Sequence, residues 1–173
     1  MGILDIFKKK EPVKEIPKKV EIFNVLSLFN FDLHNLKQSD FTHLEEEDGV
    51  NASGAKFQSW MDSAPSATPF TGFDTIKVTL FEDGKANINL LAIASELDIK
   101  PLINLINVIH SNYGKDMVGN GAFEMEREIN SLQQMQWLGR YFNKCSPQIN
   151  LSQRGAMLYM NIATLVLQDW KFE

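Results

Sequence analysis

Histidine and carboxylate side chains are concentrated between residues 34 and 48 of the chain. His34, Asp40 and His43 precede an acidic run at Glu45–Asp48. Carboxylates and imidazoles are the usual ligands of divalent metals in hydrolytic sites, so this region could support a small metal-dependent hydrolase. Its spacing matches no established metal motif, and we favour a solvated loop with two surface histidines. The sequence therefore predicts no metal ligand, no cofactor-binding residue and no catalytic residue.

A second group, formed by Trp137, Arg140 and Tyr141, has the side chains favoured at protein–protein contacts. Aromatic rings and guanidinium groups are enriched among the residues that dominate binding energy. We therefore predict a partner-binding patch at these three residues. In a strand, Trp137 and Tyr141 would share one face and Arg140 would lie on the other. Packing of Trp137 in the core is the alternative, because tryptophan is highly buried on average.

The remaining reactive residues lack a motif. The glycines at 119–121 do not have the spacing, nor the following Lys and Ser or Thr, of a phosphate-binding loop, so they indicate a tight turn. Ser146 and Ser152 have no nucleophile motif around them, and His110 lies at the margin of a predicted helix. Cys145 is the single cysteine, so this sequence can form no internal disulfide. A reducing, cytoplasmic location is the prediction.

Length, composition and charge indicate a globular domain with an acidic body. With 173 residues, 44% of them hydrophobic and 23% charged, the chain resembles an ordinary globular domain. Residues 1–19 have six Lys and three acidic residues, or +3, and the remainder has eleven basic and nineteen acidic residues, or −8. An acidic body repels phosphate backbones, so we predict no nucleic-acid binding and a protein partner of basic character.

The first ten residues, "MGILDIFKKK", place apolar side chains before lysines. That order is the reverse of a secretory signal, and Ile6 replaces the Ser or Thr of a myristoylation pattern. We predict a disordered basic leader at 1–19, followed by a single globular α+β domain at 20–173. Weak contact of residues 1–10 with an anionic membrane, without stable insertion, is the alternative.

The stretch from 20 to 72 is poorly patterned. Apolar residues between Ile22 and Leu36 recur at helical spacing and predict an N-terminal helical segment, with a short strand at 28–33 as the alternative. Residues 37–72 predict a long loop region that contains a short helix near Phe57–Met61, because its aromatic residues are too apolar for a free linker.

The stretch "TIKVTLFEDGKANINL" predicts a β-hairpin, because apolar and polar residues alternate on both sides of a turn. A three-residue loop at Glu82–Gly84, with Gly84 in the left-handed conformation, brings the two apolar rows to the same face. It pairs Leu80 with Ala86, Val78 with Ile88 and Ile76 with Leu90.

The second half of the chain predicts one main helix at 101–113, with Pro101 in its first turn and Gly114 after its end. Residues 122–142 fit both periods: propensity favours a helix, but a lone hairpin needs more strands, so we predict strands at 122–129 and 134–142. A last strand from Ala156 ends in a helical turn. The predicted fold is α+β, with an antiparallel sheet of about four to five strands packed against the helix at 101–113.

These observations favour a non-enzymatic, acidic binding module that caps or accompanies a partner protein, as an immunity protein or a secretion chaperone does. The hypothesis depends on the acidic charge and on the lack of a catalytic motif. The alternatives are the metal-dependent hydrolase that uses His34, His43 and the acidic run, and a membrane-peripheral protein held by residues 1–10.

Overall fold

The structure is a computed structural model that describes residues 36–62 and 73–173. The predicted leader at 1–19, the membrane contact of residues 1–10 and most of the N-terminal helical segment lie outside these ranges. The described residues form eight strands and two α-helices. Their bounds are β1 Thr42–His43, β2 Gly49–Val50, β3 Lys56–Asp62, β4 Phe73–Phe81, β5 Lys85–Ile93, α1 Ile99–Tyr113, α2 Met125–Gln133, β6 Arg140–Phe142, β7 Gln148–Arg154 and β8 Met157–Val166.

The eight strands form one antiparallel sheet in the order β1-β3-β4-β5-β8-β7-β6, and β2 pairs separately with β3. The α+β class is confirmed in broad terms, but the prediction of four to five strands is wrong. Three of the strands have only two or three residues. Alternation cannot be detected over so short a stretch, and such strands exist because a longer neighbour supplies their hydrogen bonds.

The β4–β5 hairpin has the predicted register. Leu80 pairs with Ala86, and the two pairs that follow are also those predicted. Gly84 has a φ of 80°, and its N–H donates to the carbonyl of Phe81 at 2.9 Å. The inward side chains of both strands are buried, so the hairpin contributes one complete apolar face to the core.

The region at 37–72 contains β3 where a short helix near Phe57–Met61 was predicted, and that prediction is wrong. β3 pairs antiparallel with β4 from Phe57 opposite Phe81 to Asp62 opposite Ile76. Trp60 lies opposite Val78 and is buried on the core face. Pairing with the neighbouring strand, which local sequence does not reveal, decides the conformation here.

The prediction of strands at 122–129 and 134–142 is also wrong for most of these residues. Residues 125–133 form α2, and only 140–142 form a strand. Helix propensity prevails in α2, where Ile129 and Leu132 face inward at helical spacing. Met135, with a φ of 58°, and Gly139, with a φ of 85°, then turn the chain into β6.

The main helix is confirmed as α1. Asp98 caps it by accepting a hydrogen bond from the N–H of Lys100 at 3.1 Å, and Gly114 ends it with its N–H bonded to the carbonyl of His110. Four side chains on one stripe of α1 are buried and join the inward side chains of the sheet in one hydrophobic core. These are Leu102, Leu105, Ile106 and Ile109.

The last predicted strand is confirmed as β8, which pairs with β5 on one side and β7 on the other. β7 was not predicted. After β8 the chain makes a turn at 168–169 in place of the predicted helical turn. Trp170 then packs edge-on against Trp60, with ring centroids 5.3 Å apart, and ties the end of the described chain to β3.

Candidate binding site

Arg140 is the centre of a buried polar network at the β6 end of the sheet. Its side chain is only 1% exposed. Nε donates to Oε2 of Glu128 at 3.0 Å, and Nη2 donates to Oε1 of the same carboxylate. Nη1 and Nη2 also donate to the carbonyls of Gly121 and Ala122. The planar guanidinium thus joins β6, α2 and the loop before α2 in one geometry.

The Glu128 carboxylate has partners on three sides. Besides Arg140, it accepts the indole N–H of Trp137 at 2.9 Å and the backbone N–H of Glu124 at 2.9 Å. Burial by itself raises the pKa of Glu128, but hydrogen bonds from Arg140, Glu124 and Trp137 outweigh it and hold the pKa below its ordinary value. Glu128 is therefore ionised at neutral pH and carries its charge inside the network.

Asp116 fixes the loop between α1 and α2. One carboxylate oxygen accepts the backbone N–H groups of Val118 and Asn120, and the other accepts the side-chain amide of Asn120. Its carboxylate also lies 3.6 Å from Nη1 of Arg140. The tight turn lies at 117–118, just before the predicted 119–121, and the N–H of Gly119, which has a φ of 90°, closes it by donating to the carbonyl of Asp116 at 3.1 Å. The loop is thus held to β6 by the same guanidinium that holds α2.

The predicted patch of Trp137, Arg140 and Tyr141 is divided between two environments. Trp137 and Arg140 are buried and serve the network, so their side chains are not available at the surface. Tyr141 is half-buried on the opposite sheet face, where it pairs with Asn150. Asn150 lies beside Asn161, whose amide donates to Asn89 at 2.9 Å. Tyr141 therefore ends a polar row across that face, and its partner-binding role stays a prediction.

Around the network, several large apolar side chains point into solvent. Leu138 is 86% exposed, although it lies between the buried Trp137 and the glycine before β6. We call this group the exposed apolar set, and its members are Met117, Val118, Met125, Met135 and Leu138. All five belong to the loop, to α2 or to the segment that leads into β6, and the Arg140 network connects these segments. The N–H of Met117 also bonds to the carbonyl of Tyr141 at 2.8 Å.

An apolar cleft of about 400 Å³ lies beside the exposed apolar set and shares Met135 with it. Its walls come from the β5–α1 connection, from α2 and from the β7–β8 turn. The lining residues are Ala94, Ser95, Leu97, Ile99, Ile129, Leu132, Gln133, Met135, Gln153 and Ala156. Clefts that bind ligands or protein side chains have this size and this apolar character. The cleft and the exposed apolar set together form the candidate binding site.

In the histidine and carboxylate group at 34–48, His43 and Asp48 make contacts that stabilise the fold. His34 lies outside the described residues. Nε2 of His43 is 3.0 Å from Oδ2 of Asp48, and Oδ1 of Asp48 accepts the N–H of Ser59 at 3.0 Å. The imidazole stacks on Trp60, with centroids 5.0 Å apart. Within 36–62 and 73–173, no three His, Cys, Asp or Glu side chains are grouped to hold a metal.

Cys145 is buried, and its Sγ donates to the carbonyl of Phe142 at 3.1 Å. Burial raises the pKa of this thiol, so it is protonated and unreactive at neutral pH. His110 belongs to the last turn of α1 beside Gly121.

Comparison of the chain with protein-family models, curated proteins and solved structures gave no match. Neither described helix has both the length and the apolar content needed to cross a membrane.

The sequence did not lead us to the exposed apolar set or to the cleft. From side-chain type alone, Met117, Val118 and Leu138 would be assigned to the core. Their exposure depends on where the neighbouring segments pack, which the sequence does not show. A usable signal was available at Gly139, which follows Leu138: a glycine in a strand often marks a bulge or a close approach of two backbones.

Proposed function

We propose that this protein is a non-enzymatic binding module that caps or accompanies a partner protein. The observation that supports this proposal is the exposed apolar set, which lies on the segments that the buried Arg140 network joins. Exposed methionine side chains adapt to apolar partner surfaces, and a backbone that is already held in place needs little ordering on binding. A cytoplasmic location is part of the proposal and is supported by the single, buried, free thiol.

The proposal is tested by affinity capture from the native host with three forms of the full chain. The wild type is compared with Leu138→Asp and with Val50→Asp. Val50 is 61% exposed on β2, at the opposite edge of the sheet, so it is a matched control for adding a surface carboxylate. We expect a protein that is retained by the wild type and by Val50→Asp but lost from Leu138→Asp. Equal retention by all three forms would contradict this assignment.

A metal analysis of untagged protein provides a second test. Stoichiometric zinc or manganese would replace the binding-module proposal with the metal-dependent hydrolase, because a resident divalent metal would give the chain hydrolytic chemistry. We expect no stoichiometric metal.

A further inference from the structure

Exposed carboxylates border the apolar cleft. Glu96 and Asp98 belong to the β5–α1 connection and alternate there with the lining residue Leu97. Glu126 lies one helical turn before the lining residue Ile129, so the two side chains are neighbours on the surface of α2. All three carboxylates are exposed. The border of the cleft therefore carries negative charge on two of its walls.

The neighbouring arginines do not cancel this charge at the border. Nε of Arg127 is 3.2 Å from the carboxylate of Glu124, and Arg154 lies over the ring of Tyr159, 5.8 Å from its centroid. Arg154 and Tyr159 belong to the sheet face opposite the core, because the alternate residues of their strands are the buried ones. Lys100 is exposed two residues after Asp98, so Glu96, Asp98, Glu126 and Lys100 together have a net charge of −2.

The cleft offers apolar side chains for contact, and several backbone groups at its walls are already bonded within the chain. The N–H of Ala94 donates to the carbonyl of Ala156 at 2.8 Å. The amide of Gln153 donates to the carbonyl of Leu132 at 2.9 Å and accepts the N–H of Trp137 at 3.2 Å. An added β-strand would need unpaired backbone groups, whereas a helix placed in a groove needs only apolar pockets. The cleft therefore suits a helix.

We infer that the cleft binds an amphipathic helix of the partner protein, with apolar side chains at i, i+3 or i+4 and i+7 and with lysine or arginine beside them. This inference depends on the proposed function and specifies the chemistry of the partner. The apolar stripe enters between the β5–α1 connection and α2, and the basic side chains meet Glu96, Asp98 and Glu126. The described residues have eleven basic and seventeen acidic side chains, or −6, and this charge also attracts a basic helix.

The test uses a fluorescently labelled helical peptide of leucine and lysine and a second peptide with glutamate in place of every lysine. Both are titrated against the full chain by fluorescence anisotropy. Two charge-reversed variants are compared: Glu96→Lys with Glu126→Lys, and Glu45→Lys with Glu46→Lys. Glu45 and Glu46 are exposed residues near β1, so the second pair changes the net charge equally at a distant site.

We expect saturable binding of the leucine–lysine peptide, with affinity reduced at least about tenfold by the cleft pair and nearly unchanged by the distant pair. Methyl resonances of Ile99, Ile129 and Met135 should shift on binding. Equal losses from both pairs, equal binding of the glutamate peptide, or shifts confined to other methyl groups would overturn the inference. In that case selective loss of a partner from Leu138→Asp would still support the proposed function.

Two other occupants of the cleft, the N-terminal segment of this chain and a second copy of the chain, would give different results in further experiments. If Phe7→Asp shifts the same cleft methyl groups without any peptide, the occupant is this chain's own N-terminal segment, and a partner helix is overturned. If light scattering shows a dimer that the cleft pair dissociates, the occupant is a second copy, with the same consequence.

Discussion

Gly139 lies where the chain passes closest to a neighbouring strand. A Cβ atom at this position would be 2.1 Å from the carbonyl oxygen of Leu151, and the residue has a φ of 85°. Both the left-handed backbone and the contact with another backbone therefore require glycine. Gly84 has a similar φ, but apart from its chain neighbours no residue lies within 4 Å of its Cβ position. Substitution at Gly84 therefore measures the free-energy cost of a side chain at positive φ alone. Substitution at Gly139 adds the cost of a clash with the neighbouring backbone.

We expect Gly84→Ala to lower the free energy of unfolding by about 1 kcal/mol and Gly139→Ala to lower it by about 3 kcal/mol or more. Urea denaturation of both variants measures the difference. Equal losses would show that the backbone around Gly139 moves away easily and that the close approach is not important.

Arg140 and Arg127 both pair with glutamates of the α2 region, but one pair is buried and the other is exposed. Arg140→Met leaves the carboxylates of Glu128 and Asp116 without their cation, which costs about 3–5 kcal/mol for a buried pair. Arg127→Met removes a surface pair and should cost less than about 1 kcal/mol. The denaturation midpoints of the two variants decide this, and similar midpoints would contradict the structural role of the network.

The lowered pKa of Glu128 gives the network a defined pH dependence. Because the folded pKa lies below the unfolded value of about 4.3, the contribution of Glu128 is fully present above that pH. It is lost as the pH falls through the folded pKa. We expect the free energy of unfolding of Glu128→Gln to fall less steeply below about pH 4.3 than that of the wild type. Parallel curves would show that Glu128 titrates alike in both states.

At the scale of elements, α1 has one buried face and one exposed face. Ile106 is completely buried, whereas Asn104 is exposed two residues earlier. We expect Ile106→Asp to prevent folding, because an unpaired buried charge costs several kcal/mol against a total stability of about 5–15 kcal/mol. Asn104→Asp should fold normally. Circular dichroism at 222 nm compares them, and two well-folded variants would show that the assigned face is wrong.

Elements were predicted correctly where the hydrophobic pattern extends over many residues and a glycine marks the turn or the helix end. The β4–β5 hairpin and α1 satisfy both conditions, since Gly84 and Gly114 mark their ends. α2 was assigned wrongly because Ile129 and its neighbours fit periods of two and of 3.6. β3 and β6 depend on hydrogen bonds from strands elsewhere in the chain, and their own residues do not specify them.

The candidate site was less predictable than the fold. Arg140 was expected at the surface as part of a binding patch, but it meets Glu128 and Asp116, which are 12 and 24 residues earlier in the chain. Only the tertiary structure shows that these groups meet. Similarly, the cleft depends on segments near residues 95, 130 and 155. No local pattern indicates that these segments share a surface.

At the scale of the whole molecule, charge separates the first nineteen residues from the rest of the chain. We expect deletion of residues 1–18 to leave the melting temperature almost unchanged, because this stretch has two prolines and alternating charge. We also expect neither form to sediment with anionic vesicles. Sedimentation of the full chain alone, at low salt but not at high salt, would favour the membrane contact of residues 1–10.

The sheet consists of two groups of strands that meet only where β5 pairs with β8. These partners are distant in the chain, because Ile93 ends β5 and Met157 begins β8. A ribosome that adds about 5–20 residues per second needs roughly 3–13 s to make the intervening segment. Throughout that interval β5 has an uncovered edge next to a hairpin that is already synthesised. Chaperone protection of the nascent chain, and slower growth at low temperature, should therefore raise the yield of folded protein.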